Sequence, residues 1–132
     1  MTANQNEKEI LLVDDDSDYS DLMSKRLERA GYRVSKASNG TEALKLLECD
    51  WRPNLIIMDI EMPNRNGLTT LINMGVRGIH RSEPEANIPV VVATGLQGEQ
   101  IREIITKQNI NAFLRKPFSS QELLETVKNL IG

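Results

Sequence analysis

Ile10-Leu11-Leu12-Val13-Asp14-Asp15-Asp16 runs four apolar residues straight into three acids. An unbroken apolar run of this length fits a strand buried on both faces, ended where the acids begin. Strands of that kind sit in parallel sheets, whose successive members are joined by helical crossovers. The segments that follow are therefore expected to alternate between helix and strand.

Tyr19, Leu22, Met23, Leu27 and Ala30 share one helical face, and Gly31 stands where a helix stops. Tyr32 and Val34 belong to a second strand. Asn39-Gly40-Thr41-Glu42 offers a capping box for a second helix through Ala43, Leu44 and Leu47. After Pro53, Leu55-Ile56-Ile57-Met58 repeats the opening pattern, an apolar run ended by an acid, Asp59. A helical pattern over 67–78 follows, then a polar loop over 81–87. Pro89 opens a fourth run, Val90-Val91-Val92-Ala93, and Ile101, Ile104 and Ile105 mark a fourth helix over 99–107. A fifth strand is expected over 110–114. Ser119-x-x-Glu122 is a capping box for a last helix through Leu123, Leu124, Val127, Leu130 and Ile131. Five strands alternating with five helices require parallel strands and right-handed crossovers, the doubly wound α/β arrangement. No repeat, low-complexity tract or compositional break divides the chain, so residues 1–8 read as a polar tail and 9–132 as one domain.

A length of 132 residues is that of one domain, and a hydrophobic fraction of 39%, although a little low, still suffices for a core. Sixteen Lys and Arg against nineteen Asp and Glu leave a net charge of −3, which offers no field to grip a nucleic-acid backbone or an anionic membrane. The run at 90–93 is as long as any apolar run in the chain, far short of the roughly 20 residues that span a bilayer. Cys49 is the lone cysteine, so no internal disulfide is expected, and the start MTANQNEKE lacks the basic-then-apolar order of a secretory signal. The expectation is a cytoplasmic domain with no membrane segment and no direct nucleic-acid contact.

In open parallel sheets ligands bind beyond the carboxyl ends of the strands, where strand order reverses. Asp14-Asp15-Asp16 follow the first apolar run, Asp59 the third, Thr94 the fourth and Lys116 the fifth. In a 2-1-3-4-5 order the second strand, which ends in no such group, is an edge. Clustered carboxylates repel one another and favour a bound cation. Mg²⁺ takes a few carboxylate oxygens together with waters and phosphate oxygens. A lysine and a hydroxyl beside such a site suit phosphoryl oxygens, so the set points to phosphoryl transfer.

With LLVDDD, LIIMDIEMPNRNG, VVVAT and FLRKPF in that order, the chain resembles the chemotaxis-regulator-like receiver domains of bacterial two-component response regulators over residues 10–131. The resemblance implies a flavodoxin-like (βα)5 fold with strand order 2-1-3-4-5. It also implies Asp59 as phosphoacceptor and a Mg²⁺ site of Asp14, Asp15, Asp59 and the backbone carbonyl of Glu61. Asp15 and Asp59 would bind the metal directly, Asp14 through its hydration shell, and Thr94 and Lys116 would contact the phosphoryl oxygens. Lys116-Pro117 is expected to be cis, and Phe113 takes the place of an aromatic switch residue that follows Thr94. The implied partners are a sensor histidine kinase or phosphotransfer protein upstream and a protein target downstream, met through the face of the fourth helix, fifth strand and fifth helix. Such a domain, with no output segment in the chain, is expected to act as a stand-alone switch or phosphoryl relay. It catalyses its own phosphorylation and hydrolysis and is not a conventional enzyme.

Three features depart from the family pattern: Gly95 after Thr94 where alanine is common, a longer segment over 67–89, and a third acid, Asp16, beside the pair. Asp14, Asp16 and Asp18 have the opening spacing of an EF-hand, but Tyr19 occupies its glycine position and Lys25 its final glutamate. Asp16 and Asp18 read better as caps of the first helix. His80 reads as a surface residue, Cys49 and Trp51 as packing, and Lys25, Arg26, Glu28 and Arg29 as a solvated helix face. Trp51 is expected at the rim opposite the acids, since eight extended residues at ~3.3 Å each separate it from Asp59 by up to about 26 Å. Two other functions use the same residues. One is an aspartyl-phosphate phosphohydrolase of the haloacid-dehalogenase type, with Asp14 as nucleophile and Asp16 as acid, but no Asp pair follows the fourth strand. The other is a receiver-like adaptor that is never phosphorylated, which would leave a full set of site residues idle.

Overall fold

The opening apolar run forms β1 (Glu9–Val13), which pairs in parallel with β2 (Arg33–Ala37) on one side and β3 (Leu55–Met58) on the other. The computed structural model describes residues 8–48, 51–60, 88–95 and 110–132. β4 (Val90–Thr94) adds to β3, and β5 (Ala112–Arg115) adds to β4. The result is an all-parallel sheet in the order β2-β1-β3-β4-β5, as the sequence led us to expect. Its helices within the described residues are α1 (Ser17–Arg29), α2 (Gly40–Glu48) and α3 (Ser120–Ile131), the last being the fifth expected from the sequence. The helices expected over 67–78 and 99–107 lie outside the described residues, as do residues 1–7, Cys49, Glu61 and His80.

Successive strand residues face opposite sides of the sheet, so one sheet builds two cores. Leu11, Val13, Ile56, Met58 and Val92 pack with Ala43 and Leu47 of α2. Ile10, Leu12, Leu55, Ile57 and Val91 pack on the other side, with Met23 and Leu27 of α1 and Leu123 and Val127 of α3. Every residue of β3 and β4 is buried, which explains why those runs are unbroken instead of alternating. Full burial of one such side chain, Ile57 for instance, contributes about 1.5–3 kcal/mol.

The helix ends follow from local chemistry. Asp16 caps α1, its carboxylate accepting the Tyr19 N–H at 3.1 Å. At the other end Gly31 takes a φ of 101°, which lets its N–H reach Glu28 O and the Tyr32 N–H reach Leu27 O. That reversal delivers the chain into β2. Asn39 caps α2 through the Glu42 N–H at 2.9 Å, while the Glu42 carboxylate reaches back to the Ser38 N–H at 2.8 Å. The expected box therefore closes one residue earlier than the Asn39 N–H. Those bonds from the Ser38 backbone and hydroxyl hold the Glu42 carboxyl below the usual glutamate range. Ser119 and Glu122 form the complete reciprocal box ahead of α3.

Two asparagines start strands in the same way. The Asn54 side-chain oxygen accepts the Glu9 N–H at 2.8 Å while its own N–H donates to Glu9 O at 2.7 Å. Asn111 does the same with Val90, at 3.0 Å in both directions. Because Asn111 meets β4 through its side chain, the regular ladder of β5 begins at Ala112, two residues later than the expected start at Ile110.

Candidate functional site

The sheet fixes the backbone of the carboxyl-end rim one rung beyond its strand pairs. The Asp14 N–H donates to Ala37 O at 3.1 Å, the Asp59 N–H to Val13 O at 2.9 Å and the Lys116 N–H to Thr94 O at 2.9 Å. Each residue that followed an apolar run is thus held by the neighbouring strand, and the side chains converge where strand order reverses between β1 and β3.

Lys116 reaches across that point. Its Nζ donates to Asp14 Oδ2 at 2.8 Å and to Asp59 Oδ2 at 3.3 Å, and the Lys116-Pro117 peptide is cis. Asp14 and Asp59 are buried, at 3% and 5% exposure, whereas Asp15 is exposed. Burial by itself would lower the ammonium pKa. The hydrogen bond to Asp14 and the charges of Asp59 and Asp14 outweigh it, so Lys116 is held above the usual lysine value. An open cleft of about 300 Å³ lined by Asp15, Asp16, Asp59, Gly95 and Lys116 connects these groups with solvent.

Carboxylate oxygens of Asp14, Asp15 and Asp59 all lie within 4.8 Å of one another. A small set of hard oxygen donors, two buried and one open to solvent, fits a hard divalent cation that keeps part of its water shell. Asp16 stands apart from this set because its carboxylate is used in capping α1. Its N–H instead donates to Asp14 Oδ1 at 3.0 Å and so orients that acid.

Thr94 ends β4 fully buried, paired in register with Arg115. Phe113, two residues earlier on β5, packs part-buried against the α2-side core. Glu61 lies outside the described residues. One neighbour of the site was not singled out from the sequence: the ring of Tyr19, whose centroid lies 4.5 Å from Lys116 Nζ. Its helical spacing marked it as core, and it does pack against the α1-side core. The available signal was its position less than two turns after the acids, on the helix they cap.

Fold and rim together define a class, the doubly wound parallel domain whose switch point gathers carboxylates around a lysine. The chain belongs to the response-regulator receiver domain family, whose pattern matches residues 10–128. DivK of Brucella anthropi, a polar-differentiation response regulator, is 30% identical over 125 residues, covering 95% of this chain and 97% of DivK. The transcriptional regulatory protein GltR of Pseudomonas aeruginosa is 33% identical over 131 residues, covering 99% of this chain and 51% of GltR. The chain spans about half the length of GltR and of several other curated relatives it matches. Among solved structures, a CheY-like receiver domain protein from Methanospirillum hungatei superposes with a TM-score of 0.81 at 27% identity, covering 93% of this chain and 92% of that one. Vibrio cholerae CheY4 gives 0.82 at 25% identity, with coverage of 94% and 98%. No helix among the described residues is long and apolar enough to cross a membrane.

Proposed function

We propose that this receiver domain is a phosphoryl-accepting switch of a two-component pathway, with Asp59 as the acceptor. In the transfer, the bond from phosphorus to a donor histidine nitrogen breaks and a bond to an Asp59 carboxylate oxygen forms. The observation that carries the reading is the Lys116 ammonium shared between Asp14 Oδ2 and Asp59 Oδ2 at the mouth of an open cleft. A cation already placed there meets the charge that a phosphoryl group brings. Asp14, Asp15 and Asp59, with the carbonyl of Glu61, would hold Mg²⁺, which when bound supplies charge neutralisation for the acids and the phosphoryl oxygens. Thr94 would contact those oxygens and Phe113 would follow it, altering the face of the fourth helix, β5 and α3 toward a downstream protein.

Access favours Asp59 over Asp14 as nucleophile, since Asp59 lines the open cleft that leads to Lys116. One Asp14 oxygen accepts the Asp16 N–H and the other the Lys116 ammonium, and the carboxylate does not line the 300 Å³ cleft. Asp16, the acid of the phosphohydrolase alternative, is used as a helix cap. The upstream partner in this reading is a histidine kinase or phosphotransfer protein, and the setting is the cytoplasm. DivK, 97% of which this chain covers, is the precedent for a receiver switch or phosphoryl relay in this reading. The domain's product is a conformation, so it is a self-phosphorylating and self-dephosphorylating switch and not a conventional enzyme.

The test is incubation with acetyl phosphate and Mg²⁺ followed by intact-mass measurement. Wild type should gain one phosphoryl group, labile to base, and Asp59→Asn should gain none while keeping its fold. Full labelling of Asp59→Asn, with Asp14→Asn unlabelled, would transfer the chemistry to the phosphohydrolase reading.

A further inference from the structure

Lys116 must serve two sets of partners if Asp59 is phosphorylated. In the structure its ammonium is hydrogen-bonded to Asp14 and Asp59. A phosphoryl group on Asp59 requires some of those bonds to move to phosphoryl oxygens. A lysine side chain is flexible and its ammonium strongly hydrated, so an ammonium released from the carboxylates tends to swing into water. A contact that survives this exchange helps to keep it at the rim.

Another side of the ammonium faces the ring of Tyr19, 4.5 Å from Nζ to the centroid. Aromatic faces attract cations at this range without demanding directed hydrogen bonds, so the ammonium can turn beneath the ring and keep the contact. The residue is held at its backbone and on two sides of its ring. The Tyr19 N–H is bound to the Asp16 cap, its side chain packs against the α1-side core, and Phe118 meets it edge-on at 5.6 Å and 85°. Phe118 lies two residues beyond Lys116, past the cis Lys116-Pro117 peptide. The same ring thus contacts both the lysine and the turn that carries it.

We propose that Tyr19 is a positioning residue for Lys116, its ring face retaining the ammonium over the rim while the hydrogen bonds of that ammonium pass from carboxylate to phosphoryl oxygens. The inference rests on the phosphoacceptor reading of Asp59 and adds to it a residue outside the acid, hydroxyl and lysine set. Packing alone predicts that an aliphatic residue of similar size serves as well as tyrosine. A role for the ring face predicts that phenylalanine serves and leucine does not.

The test compares labelling rates with acetyl phosphate at saturating Mg²⁺ in wild type, Tyr19→Phe and Tyr19→Leu, each also in a Lys116→Met background. Tyr19→Phe should stay within about twofold of wild type and Tyr19→Leu should be slower by roughly fivefold, the size of one cation–π contact. In the Lys116→Met background Tyr19→Leu should cause no further loss, because its effect runs through that ammonium. In NMR spectra the Lys116 ε-methylene protons should be shifted upfield by the ring in wild type and Tyr19→Phe and move to ordinary values in Tyr19→Leu. Equal rates for Tyr19→Leu and wild type, an equal loss in Tyr19→Phe and Tyr19→Leu, or an undiminished loss without Lys116 would each overturn the proposal. Wild type that takes no label at Asp59 would overturn the phosphoacceptor reading and this inference with it, whereas labelled wild type with indifferent Tyr19 variants overturns this inference alone.

Discussion

The two ends of the sheet solve opposite problems. At the amino end, the described polar groups close onto specific partners. Asn54 completes Glu9, Asn111 completes Val90, the Trp51 indole N–H donates to Glu9 Oε2 at 2.9 Å, and Arg52 Nη1 donates to Leu47 O at the end of α2. At the carboxyl end three carboxylates lie within 4.8 Å of one another, and the Lys116 ammonium bonds two of them. Stability by itself favours the first arrangement, since a buried charge is costly unless it is matched. A fold that pairs these groups at one rim and gathers three carboxylates around a lysine at the other has concentrated its chemistry at the second.

Adding positive charge at the carboxyl rim gives the largest expected contrast. A divalent cation at about 100 times its dissociation constant should raise unfolding stability by about 2.7 kcal/mol in wild type. Asp15→Asn should gain roughly half as much at the same concentration if its affinity falls about tenfold. Urea unfolding with and without Mg²⁺ measures both, and equal gains would remove Asp15 from the site. Next in size is the loss of the existing positive charge. In metal-free buffer Lys116→Met should cost about 2 kcal/mol, below the range for a fully buried pair because the lysine side chain is 19% exposed. Trp51→Phe, which removes one neutral donor at the well-matched end, should cost about 1 kcal/mol. Circular dichroism during urea titration compares the two, and a Lys116→Met protein as stable as wild type would mean that the acids at the rim need no counter-charge.

What was legible in the sequence follows the range of the interactions. Strand runs, the Asp16 and Ser119 caps and the Gly31 stop are set by residues within a few positions of one another, and they were readable. The role of Asp16 illustrates this: capping preference separated it from Asp14 and Asp15, and the structure places it at the helix start. Lys116 and Asp14, 102 residues apart, were brought together through the rule for ligand sites in parallel sheets, which supplies long-range geometry that no local pattern contains. Where no such rule exists the sequence is silent. Nothing local indicates that Asn54 closes onto Glu9, that Asn111 delays β5, or that Tyr19 lies against Lys116. A tyrosine at core spacing looks the same whether its ring meets leucine or an ammonium.

Trp51 has a practical consequence for spectroscopy. Its indole is held against Glu9 at the start of β1 and packs on the α2-side core, while Asp14 lies past the other end of that strand. The single tryptophan of this chain is therefore placed to report whether the sheet is assembled and not what occupies the far rim. Titrating Mg²⁺ or a phosphodonor should leave its intensity and emission maximum flat, while urea moves both. Binding isotherms for this protein call for calorimetry or NMR. Its folding can be followed by light from one residue, with little interference from ligands in the buffer.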